Sequence, residues 1–333
     1  MEVKRKCRKA GDYMIVLEEL SLFEMLDQIY SLEGIHKLAD VRDISYDEDD
    51  TKKKIIKDIV DCLLDEDYFR EHLYVISDQH MKIIRKLLKH QDRFILSNRS
   101  KENEAFIELD ALDYVDIDEE REEVFIPMDV RNLILKIDNH EFEKTRRKVF
   151  WLHAVLYHAF FLYGLVSIDE VCTMYNSRAG FNASREDIEY YFSLIPLDFQ
   201  KFVYMDHNFI AFDLLKKDSL ESTKELQQYY EIKYPRTDQI LDHYNEGYPI
   251  SSISYNRIDQ FIRTKSLSEY NEKKFMRKLY ENIIQGEKLA KLLDYFDGYL
   301  KDEDEVLFIT RNLKEAIKET PQYKYHGRNE YEI

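Results

Sequence analysis

The longest apolar stretch lies in the middle of the chain. From Phe150 to Tyr163 the sequence reads FWLHAVLYHAFFLY. A helix apolar all round is either buried in a core or spans a membrane, and a span needs about 20 apolar residues. This run is shorter, contains His153 and His158, and stops at Gly164. It predicts a buried central helix. The residues after it follow one local pattern. Gly164 can close the helix in a left-handed cap, and Leu165-Val166 reads as a short extended piece. Ser167-Ile168-Asp169-Glu170 has the form of a capping box and opens a helix with Ile168, Val171, Cys172 and Tyr175 on one face. Ser184 starts another, with Ile188, Tyr191, Phe192 and Ile195 inward, stopped by Pro196. Phe202–Met205 and Phe209–Phe212, separated by Asp206-His207-Asn208, read as a hairpin. Three helices, a short strand between the first two and a terminal hairpin predict a winged-helix-like module.

An earlier stretch reads as a second copy. Thr51–Leu64 carries the stripe Ile55, Ile56, Ile59, Val60 and Leu63, and Tyr68–Leu73 reads as a short helix. Tyr74-Val75-Ile76 reads as extended, and Ser77 caps a helix from Asp78 to Lys89. Ala105–Leu112 is a further segment. Tyr114–Ile117 and Glu123–Ile126 form a strand pair joined by the charged tip Asp118–Glu122, and Met128–Ile137 reads as a helix. Two such units in tandem form the predicted internal repeat. Before them, Val16–Tyr30 reads as an amphipathic helix and Ser31–Asp50 as a loop ending in an acidic run. After them the periodicity turns wholly helical, with segments Leu220–Ile232, Ser254–Phe261, Glu269–Gln285, Glu287–Asp297 and Glu303–Lys318. The aromatic tail from Thr320 to Arg328 reads as an extended strap. The expected class is therefore mainly α with small β-hairpins: tandem winged-helix-like modules plus a helical C-terminal domain. The expected boundaries are 1–50, 51–137, 138–215 and 216–333.

Composition narrows the function. The chain has 333 residues, room for two or three domains, with 44% hydrophobic and 35% charged residues. Gly 8 and Pro 5 are few, which favours long helical segments. The formal net charge of −17 opposes general nucleic-acid affinity, because each phosphate contact wants a cation. Local basic clusters run the other way: Lys4, Arg5, Lys6, Arg8 and Lys9; Lys52, Lys53 and Lys54; and Lys144, Arg146, Arg147 and Lys148. The three lysines opening a helix at 52–54 sit against its positive end, which hints at an anion or at solubility. The three cysteines, Cys7, Cys62 and Cys172, are far apart and form no C-x-x-C motif. Free thiols in a reducing cytoplasm are expected, and the short apolar run near the N-terminus does not read as a signal sequence.

Candidate chemistry is sparse. There is no Gly-rich phosphate loop, no G-x-S-x-G and no H-E-x-x-H. His153 and His158 are five apart, off the i, i+4 spacing of a helical metal pair, and read as hydrogen-bonded core or cleft histidines. Cys62 and Cys172 fall on apolar helix faces, as core thiols do. No catalytic residue, metal site or cofactor is expected.

Three stretches carry a resemblance: Leu112-Asp113-Tyr114-Val115-Asp116-Ile117 with Val124-Phe125-Ile126-Pro127; Leu162–Val171; and Glu319-Thr320-Pro321-Gln322-Tyr323. With them the chain resembles a largely uncharacterised group of bacterial cytoplasmic proteins. In that group a helical piece similar to SAP or Rho N-terminal domains precedes winged-helix-like segments and a helical C-terminal domain. Some members end in a zinc-binding SEC-C motif, whose cysteine ligands are absent here. The resemblance implies a fold and an association with nucleic acid, and it implies no reaction. Three functions follow as expectations, in this order: a non-catalytic interaction protein with a protein partner, a nucleic-acid-binding regulator using the basic clusters, and, in reserve, an enzyme of unrecognised type. The second is weakened by Glu186, Asp187 and Glu189 beside Arg185 on the helix that would read a groove.

Overall fold

A computed structural model describes residues 12–16, 20–89, 94–97, 113–118, 123–216, 218–265, 269–284 and 286–333. The protein is mainly helical and divides into two compact units, Met1–Phe150 and Trp151–Ile333. Among the described residues no helix is long and apolar enough to cross a membrane.

The first unit begins with β1 (Asp12–Val16), followed by α1 (Leu22–Ile29), α2 (Leu32–Val41), α3 (Lys52–Leu63), α4 (Glu66–Tyr74) and α5 (Asp78–Lys89). Helix α1 starts later than the periodicity suggests because Ser21 caps it. The Ser21 hydroxyl accepts from Glu24 N at 3.2 Å, and the Glu24 carboxylate accepts from Ser21 N at 2.8 Å. The expected loop at 31–50 is half helix: Ser31 caps α2, which buries Ile35, Leu38 and Ala39. The expected strand at 74–76 is also absent. Tyr74 ends α4, Val75 is helical, and Tyr74 stacks on Phe142 at 5.5 Å. The β-branched pair Val75-Ile76 mimics a strand in sequence, but here it is a buried turn.

A four-stranded sheet of order β2-β1-β4-β3 joins β2 (Phe94–Ser97), β3 (Asp116–Asp118) and β4 (Glu123–Phe125) to β1. β4 runs parallel to β1, with Ile15 opposite Val124, and antiparallel to β3. The third strand beside the expected 114–126 hairpin therefore comes from the N-terminal segment. The basic arm Lys4–Lys9, the segment Ala105–Leu112 and the tip 119–122 lie outside the described residues. The unit continues through α6 (Met128–Ile137) into α7 (His140–Leu162).

The second unit starts within α7, which is buried over most of its apolar run, with Trp151, Val155 and Ala159 fully enclosed. Gly164 takes φ +64, the left-handed turn its position requires. Then come β5 (Leu165–Ser167), α8 (Ile168–Asn176), α9 (Arg185–Ser193), β6 (Phe202–Met205) and β7 (Asn208–Ala211). Capping boxes at Ser167/Glu170 and Ser184/Asp187 set both helix starts. The three strands form an antiparallel sheet of order β5-β7-β6. Its hairpin turns through Asp206 and His207, both at positive φ, as a tight two-residue turn demands.

The remaining helices are α10 (Phe212–Lys216), α11 (Leu220–Gln227), α12 (Thr237–Glu246), α13 (Ile253–Arg263), α14 (Glu269–Ile284), α15 (Leu289–Asp294) and α16 (Glu303–Glu319). They enclose a core that includes Phe161, Tyr255, Ile258, Leu279 and Leu313. The tail forms a helical turn, Tyr323–Tyr325, and is tied down by the Gln227 amide. That amide donates to the Tyr163 and Tyr323 carbonyls, each at 2.8 Å.

Candidate functional site

One recess in the second unit is assembled from five segments. Phe160 and Phe161 come from α7, Gln200 and Lys201 from the approach to β6, Phe212, Asp213 and Lys216 from α10, Glu281 and Ile284 from α14, and Tyr323 from the tail. Its volume is about 270 Å³, just below the roughly 300 Å³ at which ligand clefts begin, so it suits a small molecule. Lys201 is fixed there by its backbone: its carbonyl accepts from Phe212 N at 3.1 Å where the hairpin closes. Gln200, beside it, donates its side-chain amide to Ile195 O at 2.6 Å.

The Lys201 amine sits among three rings, with Nζ 5.0 Å from Tyr157, 4.8 Å from Phe160 and 5.2 Å from Phe161, measured to the ring centroids. Ring faces attract a cation but accept no ordinary hydrogen bond. The nearest carboxylate oxygen, Glu281 Oε1, is 3.9 Å away, too far for a hydrogen bond. Among the described residues Nζ has no hydrogen-bond acceptor. Burial pushes the Lys201 pKa down, opposed by Glu281 and Asp213 and assisted by Arg277. A lysine that loses water contact without gaining an acceptor holds its proton less firmly. Such groups in clefts mark functional sites more often than chance would.

Beside this recess lies a histidine cluster. His158 Nδ1 and His243 Nδ1 are 2.8 Å apart, so one donates while the other accepts. His153 Nδ1 faces the Tyr244 hydroxyl at 3.3 Å. Burial is the main force lowering all three: His153 falls to about 4, with Lys201 adding repulsion, His158 to about 3, and His243 well below its ordinary value. These are neutral core imidazoles at pH 7, the role their spacing in the sequence suggests. Burial likewise raises the Cys172 thiol, which is half-buried. Among the described residues no group of three or more His, Cys, Asp or Glu side chains could hold a metal.

The basic clusters have other engagements. Lys52 Nζ donates to Asp27 O at 2.6 Å and pairs with Asp27 Oδ1 at 3.0 Å. Lys54 pairs with Asp50 at 2.6 Å, and Lys53 is exposed. These carboxylates answer the electrostatic penalty of lysines at the start of a helix. Lys144 is exposed and Lys148 half-buried, while Arg147 lies 3.8 Å from Asp78. Arg146 is fully buried. It donates to Ile76 O at 2.6 Å, to Asp78 at 2.5 Å and to both oxygens of Glu143 at 3.0 Å. That guanidinium is closed to phosphate. Lys201, the residue of most chemical interest, was not among the expected candidates. Its only signal in the sequence is a single lysine between the Pro196 stop and the apolar strand FVYM. The chain matches no protein-family model, no curated protein and no solved structure.

Proposed function

We propose that the protein is a non-catalytic interaction protein whose second unit contains a winged-helix module binding a basic segment of a protein partner. The order of helix, short strand, two helices and hairpin, with its β5-β7-β6 sheet, supports the winged-helix reading. In such modules the last helix before the hairpin faces the partner. Here that helix is α9, and the state of its one arginine carries the proposal. Arg185 donates to both oxygens of Asp169, at 2.6 and 2.5 Å, so its charge is already answered. Glu186 and Glu189 remain exposed beside it, with Tyr190 57% exposed. Glu189 accepts from the neutral Tyr204 hydroxyl at 2.5 Å, and the acidic face it forms with Glu186 and the Tyr190 ring repels phosphate and suits lysine- or arginine-bearing protein. The net charge of −17 points the same way.

The alternative is a nucleic-acid-binding regulator working through the first unit. It keeps Lys53, Lys144 and Arg147 as exposed cations but loses buried Arg146. Affinity purification from the native cell, with and without nuclease, separates the two. The expected result is a protein partner that survives nuclease and is lost from the double variant Glu186→Lys, Glu189→Lys. Carriage abolished by nuclease, with binding that weakens steeply as salt rises, would overturn the proposal.

A further inference from the structure

Independently of the partner reading, we propose that Lys201 is a carbonyl-reactive amine and that its recess captures a small, largely apolar aldehyde or ketone as an imine. The lining sets the ligand class. Asp213 and Glu281 face the space and oppose an anion. Phe160, Phe161, Phe212 and Tyr323 give the recess aromatic walls that favour a ligand with an apolar body. The side chain of Lys201 keeps 36% of its exposure, so the amine is reachable. Its three ring faces offer the nitrogen lone pair no hydrogen-bond donor and attract the cation without accepting an ordinary hydrogen bond from it. Burial favours the neutral amine, which is the nucleophile.

The reaction balances without any redox partner. The Nζ lone pair attacks the carbonyl carbon, a C–N bond forms, and the C=O π pair moves to oxygen. Glu281, 3.9 Å from Nζ, is beyond direct reach, so a solvent water carries a proton from nitrogen to that oxygen and gives the carbinolamine. The nitrogen lone pair then forms C=N as the C–O bond breaks, and the departing hydroxyl takes the remaining N–H proton by way of solvent and leaves as water.

Trapping tests this directly. The full chain is treated at pH 7 with propionaldehyde and sodium cyanoborohydride, and alkylation is followed lysine by lysine by peptide mass spectrometry. Lys216 is the internal standard, because it lines the same recess but is exposed. Lys201 is expected to be labelled severalfold faster than Lys216, because burial favours its neutral amine, and the gap should close as pH rises above the ordinary lysine range. Equal or slower labelling of Lys201 at pH 7 overturns the proposal. Phe160→Ala, which opens the ring enclosure to water, should shrink the advantage, and an undiminished ratio in that variant also counts against it. The wild-type ratio decides alone if that variant does not fold.

Discussion

Arg146 in the first unit and Lys201 in the second each hold a positive charge against apolar surroundings. Arg146 has acceptors on every side: a backbone carbonyl, Asp78 and both oxygens of Glu143. Arg85 reinforces the same acid, donating to Glu143 at 2.5 Å and to Asp138 at 2.6 Å. The two guanidinium groups hold the Glu143 carboxyl down to about 2 against the opposing pull of burial. Lys201 instead has three rings and a carboxylate beyond hydrogen-bonding reach. A buried charge with matched acceptors fixes a structure. A half-exposed charge without them leaves its reactivity available.

The largest expected effect follows from the arginine. Arg146→Met takes a donor from Asp78, from the Ile76 carbonyl and from Glu143, which keeps only Arg85, and breaking a buried pair from one side costs about 3–5 kcal/mol. Denaturant unfolding followed by circular dichroism should show that loss. Arg146→Lys should recover only part of it, because an ammonium cannot reproduce the planar fork that reaches three acceptors. A loss below about 1 kcal/mol would mean the network does not hold the first unit together, and the contrast with Lys201 would fail.

Which of these features could be read along the chain depends on how far apart the interacting residues lie. The Ser167/Glu170 and Ser184/Asp187 capping boxes and the Asp206-His207 turn are local, and their side chains carry their own instructions. The short helix α2 was also local, through Ser31 and the stripe Ile35, Leu38, Ala39, but Gly34 and the neighbouring acids mask its period. The pairing of β1 with β4 depends on a partner more than one hundred residues away. Arg146 looks like a phosphate ligand until Ile76 and Asp78 are folded against it, 70 and 68 positions earlier. Lys201 is invisible for the same reason, since its enclosure is drawn from α7, α10, α14 and the tail.

The second unit should also respond to acid. Unfolded, its histidines titrate near 6.5; folded, His153 titrates at about 4. Below pH 6.5 the unfolded chain therefore binds protons that the folded chain refuses. The stability is complete above that pH and is lost as pH falls towards 4. At 1.36 kcal/mol per unit, His153 alone contributes roughly 3 kcal/mol to this acid limb. The His158–His243 pair adds to it in the same direction. The measurement is the midpoint difference between wild type and His153→Phe from pH 7 to pH 4.5. Parallel curves for the two would show that His153 is not held neutral by burial.

The smallest expected effect sharpens the contrast most. Lys201→Met removes an ammonium that donates to no acceptor, and its neighbour Glu281 keeps partial exposure to water. Removing a part-exposed charge whose only carboxylate contact is long changes stability little. Stability at pH 7 should therefore change by no more than about 1 kcal/mol in either direction, against the several lost at Arg146. A second signature travels with it. Lys201 is the charge that, after burial, most disfavours protonated His153. Its removal should raise the His153 pKa in the folded protein and make the acid limb shallower. A large loss at pH 7 with an unchanged acid limb would place Lys201 among the structural cations, alongside Arg146, and would remove the physical ground for its reactivity.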